Sequence, residues 1–419
     1  MSVMSAAGIP PSTKVYNILI VGGSKAGVTL AMELERLTAH LPVRITILEK
    51  REAYFHTVGA LRAVVQKNVA RKLWIPYDNL FKNNGRYGHT VIQGVLTRVF
   101  PFHVEYATIE APVNFLPFDY LVLATGSTYP DPAKMNSFTA AQGIEISLLY
   151  YQSIREAARV LLIGGGPVGV ELAGEIATEY PEKRVILVHN QSKLFLDDYK
   201  DSFRDRAREE LEALGVQVIL NEKVILPEEK GLEPGYGTRI LRTASGRAIE
   251  SDLQFCCTGI SVDTHFMQSL ADNLVQIVDP NTNHLRVRLT LQLRDPRFPH
   301  IFAIGDVNDH PCFKLAVHAA AQARVTARNL KHLIEHDVSH QRRDLARMAP
   351  LRLEEYRDKA NLMTVSIGRH RGVTQSRFGL VFGNWYSRIF KPTKATVVDT
   401  RWKDLHAAKD AANWLSEDN

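Results

Sequence analysis

The stretch Tyr16-Asn17-Ile18-Leu19-Ile20-Val21-Gly22-Gly23-Ser24-Lys25-Ala26-Gly27 decides the fold. Its apolar, β-branched beginning reads as a buried strand, and the strand empties into a glycine-rich turn. A helical pattern follows from Val28 to about Ala39, then a second strand from Val43 to Leu48 that ends at Glu49. The unit returns 142 residues downstream, Gly22 becoming Gly164. There Val160 to Ile163 leads into Gly164-Gly165-Gly166-Pro167-Val168-Gly169, a helix to about Glu179, and a strand from Arg184 to Val188. Strand, glycine turn, helix, strand is the context a dinucleotide fingerprint requires. The first glycine permits the tight turn, the second lets backbone approach a pyrophosphate, and the third lets the helix pack close to the strand. The helix N-terminus presents free N–H groups and a positive dipole end to phosphate. One such motif is weak evidence; two in matched contexts are strong. Gly22, Gly23, Ser24 and Gly27 are therefore expected to hold one dinucleotide, and Gly164, Gly166 and Gly169 another.

The copies differ in ways that bear on the ligand. Ser24 stands at the second glycine position and adds a hydroxyl able to donate to phosphate. Glu49 can accept from ribose hydroxyls, as FAD or NAD sites need. The second copy ends its strand at His189-Asn190, with no carboxylate. A carboxylate there would repel a 2′-phosphate, so NADPH is expected to be tolerated beside NADH; the other reading is that His189 only ends a strand.

Three further strands carry turn glycines: Tyr120-Leu121-Val122-Leu123-Ala124-Thr125-Gly126-Ser127, Phe255-Cys256-Cys257-Thr258-Gly259-Ile260 and Ile301-Phe302-Ala303-Ile304-Gly305-Asp306. The last can set the Asp306 carboxylate against a ribityl hydroxyl, with Gly305 making room for pyrophosphate. An Ala-rich helix from about Lys314 to Leu330 would aim its N-terminus at negative charge on a reduced flavin ring.

Composition narrows the class. At about 150 residues per domain, 419 residues suggest two or three domains. With 45% hydrophobic and 23% charged residues, the chain is neither disordered, collagen-like nor coiled coil. A net charge of +6 permits an anionic surface without demanding nucleic acid. Positive and negative residues alternate, as in Arg204-Asp205-Arg206-Ala207-Arg208-Glu209-Glu210, whereas a nucleic-acid binder shows a dense basic stripe. The three cysteines, Cys256, Cys257 and Cys312, form no C-x-x-C pair, so neither a zinc ribbon nor a redox dithiol is expected. No metal site is expected. No stretch approaches the ~18 consecutive apolar residues of a membrane span. Met1 to Lys14 has no signal-type apolar core and no arginine, and Ser2 excludes N-myristoylation on this start.

These features, in this order, resemble the two-dinucleotide-binding-domain flavoproteins of the pyridine nucleotide-disulfide oxidoreductase type. Within them the chain is similar to the branch of the ferroptosis suppressor proteins and mitochondrion-associated apoptosis-inducing-factor homologues. That resemblance is carried by Tyr54-Phe55-His56, Ala60-Leu61-Arg62-Ala63, Leu123 to Thr128, Gly169-Val170-Glu171-Leu172-Ala173, Glu179-Tyr180-Pro181-Glu182-Lys183 and Arg401-Trp402-Lys403, and it spans Lys14 to Lys403. It implies two Rossmann-like α/β domains of glutathione-reductase type plus a small α+β C-terminal domain. The implied boundaries are 14–128 with 259–333 for FAD, 129–258 for NAD(P)H, and 334–419 for a C-terminal cap.

The resemblance implies an FAD-dependent NAD(P)H:quinone oxidoreductase, hydride passing from NADH or NADPH to FAD and on to a ubiquinone-like quinone without a redox disulfide. Matching positions put Gly22, Ser24, Gly27, Glu49, Arg62, Val91 and Asp306 at FAD, with Gly23, Ala124, Thr125, Gly126, Gly305 and Lys314 alongside; His189 and Gly259 join the glycines at NAD(P)H. Glu171, one turn into the second helix, would relay a proton to the reduced quinone, unless it only orients neighbours. Lys391 matches a family lysine near the flavin edge; an ordinary surface lysine is the alternative. Lys331 to Arg357 reads as a solvated, charge-rich helix or linker around Gln341-Arg342-Arg343-Asp344. Trp385, Tyr386, Ile389 and Phe390, interleaved with Arg388, Lys391 and Lys394, suit an interfacial helix on anionic lipid; packing on the body is the alternative. The expected protein is intracellular, cytoplasmic or peripheral to mitochondrial or other membranes, and a monomer or homodimer. Competing functions are a type II NADH dehydrogenase, a reductase of a soluble acceptor, and a redox-switched protein that binds DNA or a partner.

Overall fold

The computed structural model describes residues 14–82, 86–226, 238–341, 351–358, 362–384, 401–403 and 405. They fall into two compact units. The first takes its described residues from within Met1–Lys50, Asp78–Ser127 and Val262–Asp358, the second from within Arg51–Tyr77, Thr128–Ser261 and Lys359–Asn419.

The first unit is built on a five-stranded parallel sheet in the order Ile301–Ala303, Tyr120–Leu123, Tyr16–Val21, Val43–Glu49, Thr90–Gln93. Ile18, Leu19 and Ile20 are all essentially inaccessible. Successive strand residues point to opposite faces, so the sheet is covered on both. That is the parallel-sheet condition, and it explains why these strands read as continuous apolar runs. Helix Lys25–Leu37 makes the crossover from the first strand to the next and packs against helix Ala316–Gln341. A three-stranded antiparallel sheet, Val95–Val99, His103–Ala107 and Asn114–Pro117, is inserted before the strand Tyr120–Leu123.

Of the charge-rich stretch after residue 330, the structure describes residues 331–341 and 351–357. The helix continues to Gln341, and residues 351–358 are fastened to the first unit. The Arg328 guanidinium grips the Glu354 carboxylate at 2.6 and 2.8 Å. The Asn329 amide exchanges hydrogen bonds with the Glu354 backbone. Tyr356 is buried, its hydroxyl 2.6 Å from His318 Nδ1 and its carbonyl 2.9 Å from His310 Nε2. Tyr356 is the one buried residue of this segment; Leu351 is exposed and Leu353 half-buried.

The second unit repeats the parallel arrangement in the order Gln217–Ile219, Arg184–Val188, Arg159–Ile163, Leu253–Cys256. Leu161, Ile163, Ile186 and Val188 form its core with Ile219, Val224, Leu241 and Ile249. Helix Ala140–Glu156 starts at Thr139, whose hydroxyl accepts from Gln142 N. Gly143 on that helix makes room for Trp74; a Cβ there would stand 2.0 Å from the indole. A three-stranded antiparallel sheet, Met363–Ile367, Arg371–Gln375 and Val381–Phe382, packs on helix Pro167–Glu179. The Gln341-Arg342-Arg343-Asp344 centre, apart from Gln341, and the Trp385 to Lys394 aromatic–cationic stretch lie outside the described residues.

That last packing runs backbone against backbone. A Cβ on Gly174 would stand 2.8 Å from Gly368 N and 2.9 Å from Ile367 Cα, neither of which can swing aside like a side-chain tip. Gly174→Ala is expected to destabilise the second unit by about 1–3 kcal/mol. Urea unfolding followed by tryptophan fluorescence measures this; an unchanged midpoint would mean that the sheet slides off the helix at no cost.

Candidate functional site

Each unit contains one glycine cradle, and the two are built alike. Gly22 has φ +105°, and a Cβ on it would lie 2.3 Å from the Ala124 carbonyl oxygen. Gly164 has φ +119°, and a Cβ on it would lie 2.3 Å from the Cys257 carbonyl oxygen. Both the left-handed backbone and the neighbouring strand's end therefore demand glycine. The third glycines serve close packing: a Cβ would stand 1.8 Å from Gly22 O at Gly27 and 1.9 Å from Gly164 O at Gly169.

In the first cradle, Ser24 is the N-cap of helix Lys25–Leu37 and makes no side-chain capping bond. The Ser24 hydroxyl therefore does not cap the first turn, whose end carries the positive pole an anion site uses. Glu49 is buried at the end of its strand, and Gly23 N donates to its Oε2 at 2.5 Å. Ala124, Thr125 and Gly126 follow the adjacent strand, and the buried Thr125 Oγ1 has no hydrogen-bond partner among the described residues. Ser127 Oγ donates to Asp306 Oδ2 at 2.7 Å, so residues 179 apart in sequence meet at the mouth of this sheet. Gly305 N donates to Gln322 Oε1 at 2.7 Å, which ties the Gly-Asp turn to helix Ala316–Gln341. Val91 sits on the edge strand in register with Ile47. Lys314 Nζ donates to the carbonyls of Asn308 at 2.6 Å and His310 at 3.3 Å. Burial pushes its amine below the usual lysine range, against the pull of Cys312 and Asp306. The cradle suits FAD: a glycine turn for pyrophosphate, a carboxylate for ribose, a second carboxylate at Asp306, and an orphaned hydroxyl at Thr125.

In the second cradle, Gly166 caps helix Pro167–Glu179, Pro167 occupies the first helical position, and a Cβ on Gly166 would meet nothing within 4 Å. Gly165 N donates to His189 Nδ1 at 3.1 Å. Gly259 turns the chain after the Cys257 strand at φ +67°. Cys257 is fully buried, and burial holds its thiol well above the usual range. Cys256 Sγ lies 3.2 Å from Thr258 Oγ1. Burial likewise raises Cys312. All three thiols are free.

Glu171 is half-buried on the first turns of the second helix. Its Oε1 accepts from Ser366 N at 3.2 Å and Ser366 Oγ at 3.1 Å. One turn further, Glu175 is bound bidentately by Arg62, Nε to Oε2 at 2.9 Å and Nη2 to Oε1 at 2.8 Å. Arg62 thus belongs to the second unit, where it joins the short helix Ala60–Ala63 to the cradle helix. Ser366, Gln322 and Glu175 escape a reading of the sequence. Only Glu175 leaves a trace, one helical turn beyond Glu171. Lys391 lies outside the described residues.

Residues 16–323 match the family described as pyridine nucleotide-disulphide oxidoreductase. The chain is 30% identical over 392 residues to ferroptosis suppressor protein 1 of Homo sapiens, covering 93% of this chain and 95% of that protein. It is 28% identical over 408 residues to apoptosis-inducing factor homolog B of Dictyostelium discoideum, covering 94% and 97%. Its fold is similar to that of NDH2 from Plasmodium falciparum in complex with NADH, with a TM-score of 0.68 at 15% identity, covering 94% and 96%.

The Arg62–Glu175 pair has side chains only 10% and 2% exposed. Glu175→Gln leaves a guanidinium buried without its counter-charge and is expected to cost about 3–5 kcal/mol. Replacing both by leucine is expected to cost less than Glu175→Leu or Arg62→Leu alone. A chemical-denaturation cycle of the four proteins tests this, and additive losses would show that the two residues act independently.

Proposed function

The chain belongs to the pyridine nucleotide-disulphide oxidoreductase family, and from that premise we propose that it reduces a quinone with electrons from NAD(P)H. It is an FAD-dependent NAD(P)H oxidoreductase. In this reading Gly22, Gly23, Ser24, Gly27, Glu49, Thr125 and Asp306 bind FAD. Gly164, Gly166, Gly169, His189 and Gly259 bind NAD(P)H. Bound FAD supplies two-electron chemistry, accepting a hydride and passing electrons on.

The acceptor is the finer question, and the thiols support a quinone. A disulfide-reducing member of such a family needs a dithiol to relay electrons. Here Cys256 and Cys257 are successive residues at a strand end, where side chains point to opposite faces, and burial keeps the Cys257 thiol protonated. An acceptor that needs no thiol fits this chain. A quinone takes up two electrons and two protons, and in this reading Glu171 hands one of those protons over. In this reading Ser366 N and Oγ orient the Glu171 carboxylate through its Oε1. The resemblance to the ferroptosis suppressor branch supports the same reading. No helix among the described residues is long and apolar enough to cross a membrane.

Purified protein should be yellow and should oxidise NADH or NADPH once a short-chain quinone is added. Turnover with a disulfide but none with quinones would sink the acceptor assignment; colourless protein that cannot be loaded with FAD would sink the cofactor assignment. Glu171→Gln is expected to retain FAD and to slow quinone turnover by about 100-fold or more. Unchanged turnover would leave Glu171 a structural residue held by Ser366.

A further inference from the structure

Tyr356 is one end of a buried hydrogen-bonded network whose other end is the Gly305-Asp306 turn. Its N–H donates to Leu289 O at 2.8 Å, and its carbonyl accepts from His310 Nε2 at 2.9 Å. A carbonyl can only accept, so this bond puts a proton on Nε2 and fixes how the imidazole is turned. The His310 N–H donates to Asn308 Oδ1 at 3.1 Å. The Asn308 amide donates to Ala303 O at 2.9 Å and to Gln322 Oε1 at 2.8 Å. Gln322 Oε1 takes its second bond from Gly305 N, beside the Asp306 that meets Ser127. Lys314 Nζ binds the carbonyls of Asn308 and His310, so the same two residues are pinned from a second side.

Tyr356, His310, Asn308 and Gln322 are all buried. Bonds in such a network reinforce one another, and a group left unpaired inside it is costly. The Tyr356 ring also packs 4.9 Å from the His310 ring, and its hydroxyl lies 2.6 Å from His318 Nδ1. Outside this anchor, residues 351–358 are gripped by the Arg328–Glu354 pair, whose side chains are both exposed. An exposed pair contributes little, so docking depends on Tyr356. Lifting the segment takes its carbonyl away from His310 and strands a buried donor, at a residue bonded directly to the loop that carries Asp306.

We infer that docking of residues 351–358 through Tyr356 is coupled to FAD binding. The docked segment holds the Gly305-Asp306 turn in place for the cofactor, and the bound cofactor holds the segment down. Tyr356 is a positioning residue that acts through His310 and Asn308, and the segment is a handle by which cofactor retention is regulated. This rests on the reading that the first cradle holds FAD. Coupling is reciprocal, so it is measurable from either end.

The first measurement is amide hydrogen exchange of the full-length protein with and without FAD. The Glu354 N–H is bonded to Asn329 Oδ1 and the Tyr356 N–H to Leu289 O, so both report docking. FAD is expected to slow their exchange at least about tenfold more than that of strand His103–Ala107, which shares the unit but not the network. Equal slowing in both places is what general stabilisation by a ligand gives, and it overturns the inference. The second measurement is FAD affinity, from quenching of flavin fluorescence on the apoprotein. Tyr356→Ala and His310→Ala are each expected to raise the Kd at least about tenfold, and the double variant no further, because the two lie on one path. Glu354→Ala, which loosens only the exposed grip, is expected to raise it about two- to fivefold and serves if the other variants fail to fold. Additive losses, or a Kd unmoved in the folded variants, overturn the inference. Folded wild-type protein that takes up no FAD removes the cofactor reading, and the coupling with it.

Discussion

A carbonyl oxygen at the end of one strand, set where any side chain of the neighbouring turn would have to stand, governs this protein twice. Ala124 O closes on Gly22 and Cys257 O on Gly164 at the same distance. Each contact forces the chain out of its strand in the left-handed region and straight into a helix. Each helix therefore starts at the carboxyl edge of a parallel sheet, with its unpaired N–H groups facing outward. Anion binding follows from that geometry before any side chain is chosen.

Side chains then distinguish the two units. The first closes its site with acids, Glu49 on the turn and Asp306 across from Ser127. The second carries a neutral histidine at the turn and spends its carboxylates along the helix. Glu171 is held by Ser366 and Glu175 by Arg62. The helix Pro167–Glu179 thus has a backbone end suited to phosphate and a flank whose carboxylates are held by Ser366 and Arg62. Its far side is stripped to Gly174 so that a sheet can lie on it.

Most of the architecture was legible because it is local. The glycine turns, the apolar strands and the helices between them declare themselves within a dozen residues, and Glu49 and His189 fall at the strand ends the pattern marks. What escaped depends on residues distant in sequence. Nothing near Arg62 announces that Glu175, 113 residues on, will hold it inside the second unit. Gln322 reads as one polar residue in an Ala-rich helix, yet it satisfies Gly305 N and the Asn308 amide together. Residues 351–358 read as linker because charged residues dominate them; buried Tyr356 and the Arg328 and Asn329 bonds to Glu354 dock them. Lys314 was expected near a flavin, and its amine is engaged by two backbone carbonyls of its own loop.

The meeting of Ser127 with Asp306 has a consequence for synthesis. The sheet of the second unit is complete once residue 256 has emerged, since all four of its strands lie between Arg159 and Cys256. The sheet of the first unit begins at Tyr16 yet waits for Ile301–Ala303 to pair with Leu121–Leu123. A ribosome therefore delivers the start of the first cradle earliest and its closing acid after the second sheet is whole. The older half of that sheet spends the interval with an apolar edge exposed, the period in which a holding chaperone has most to protect.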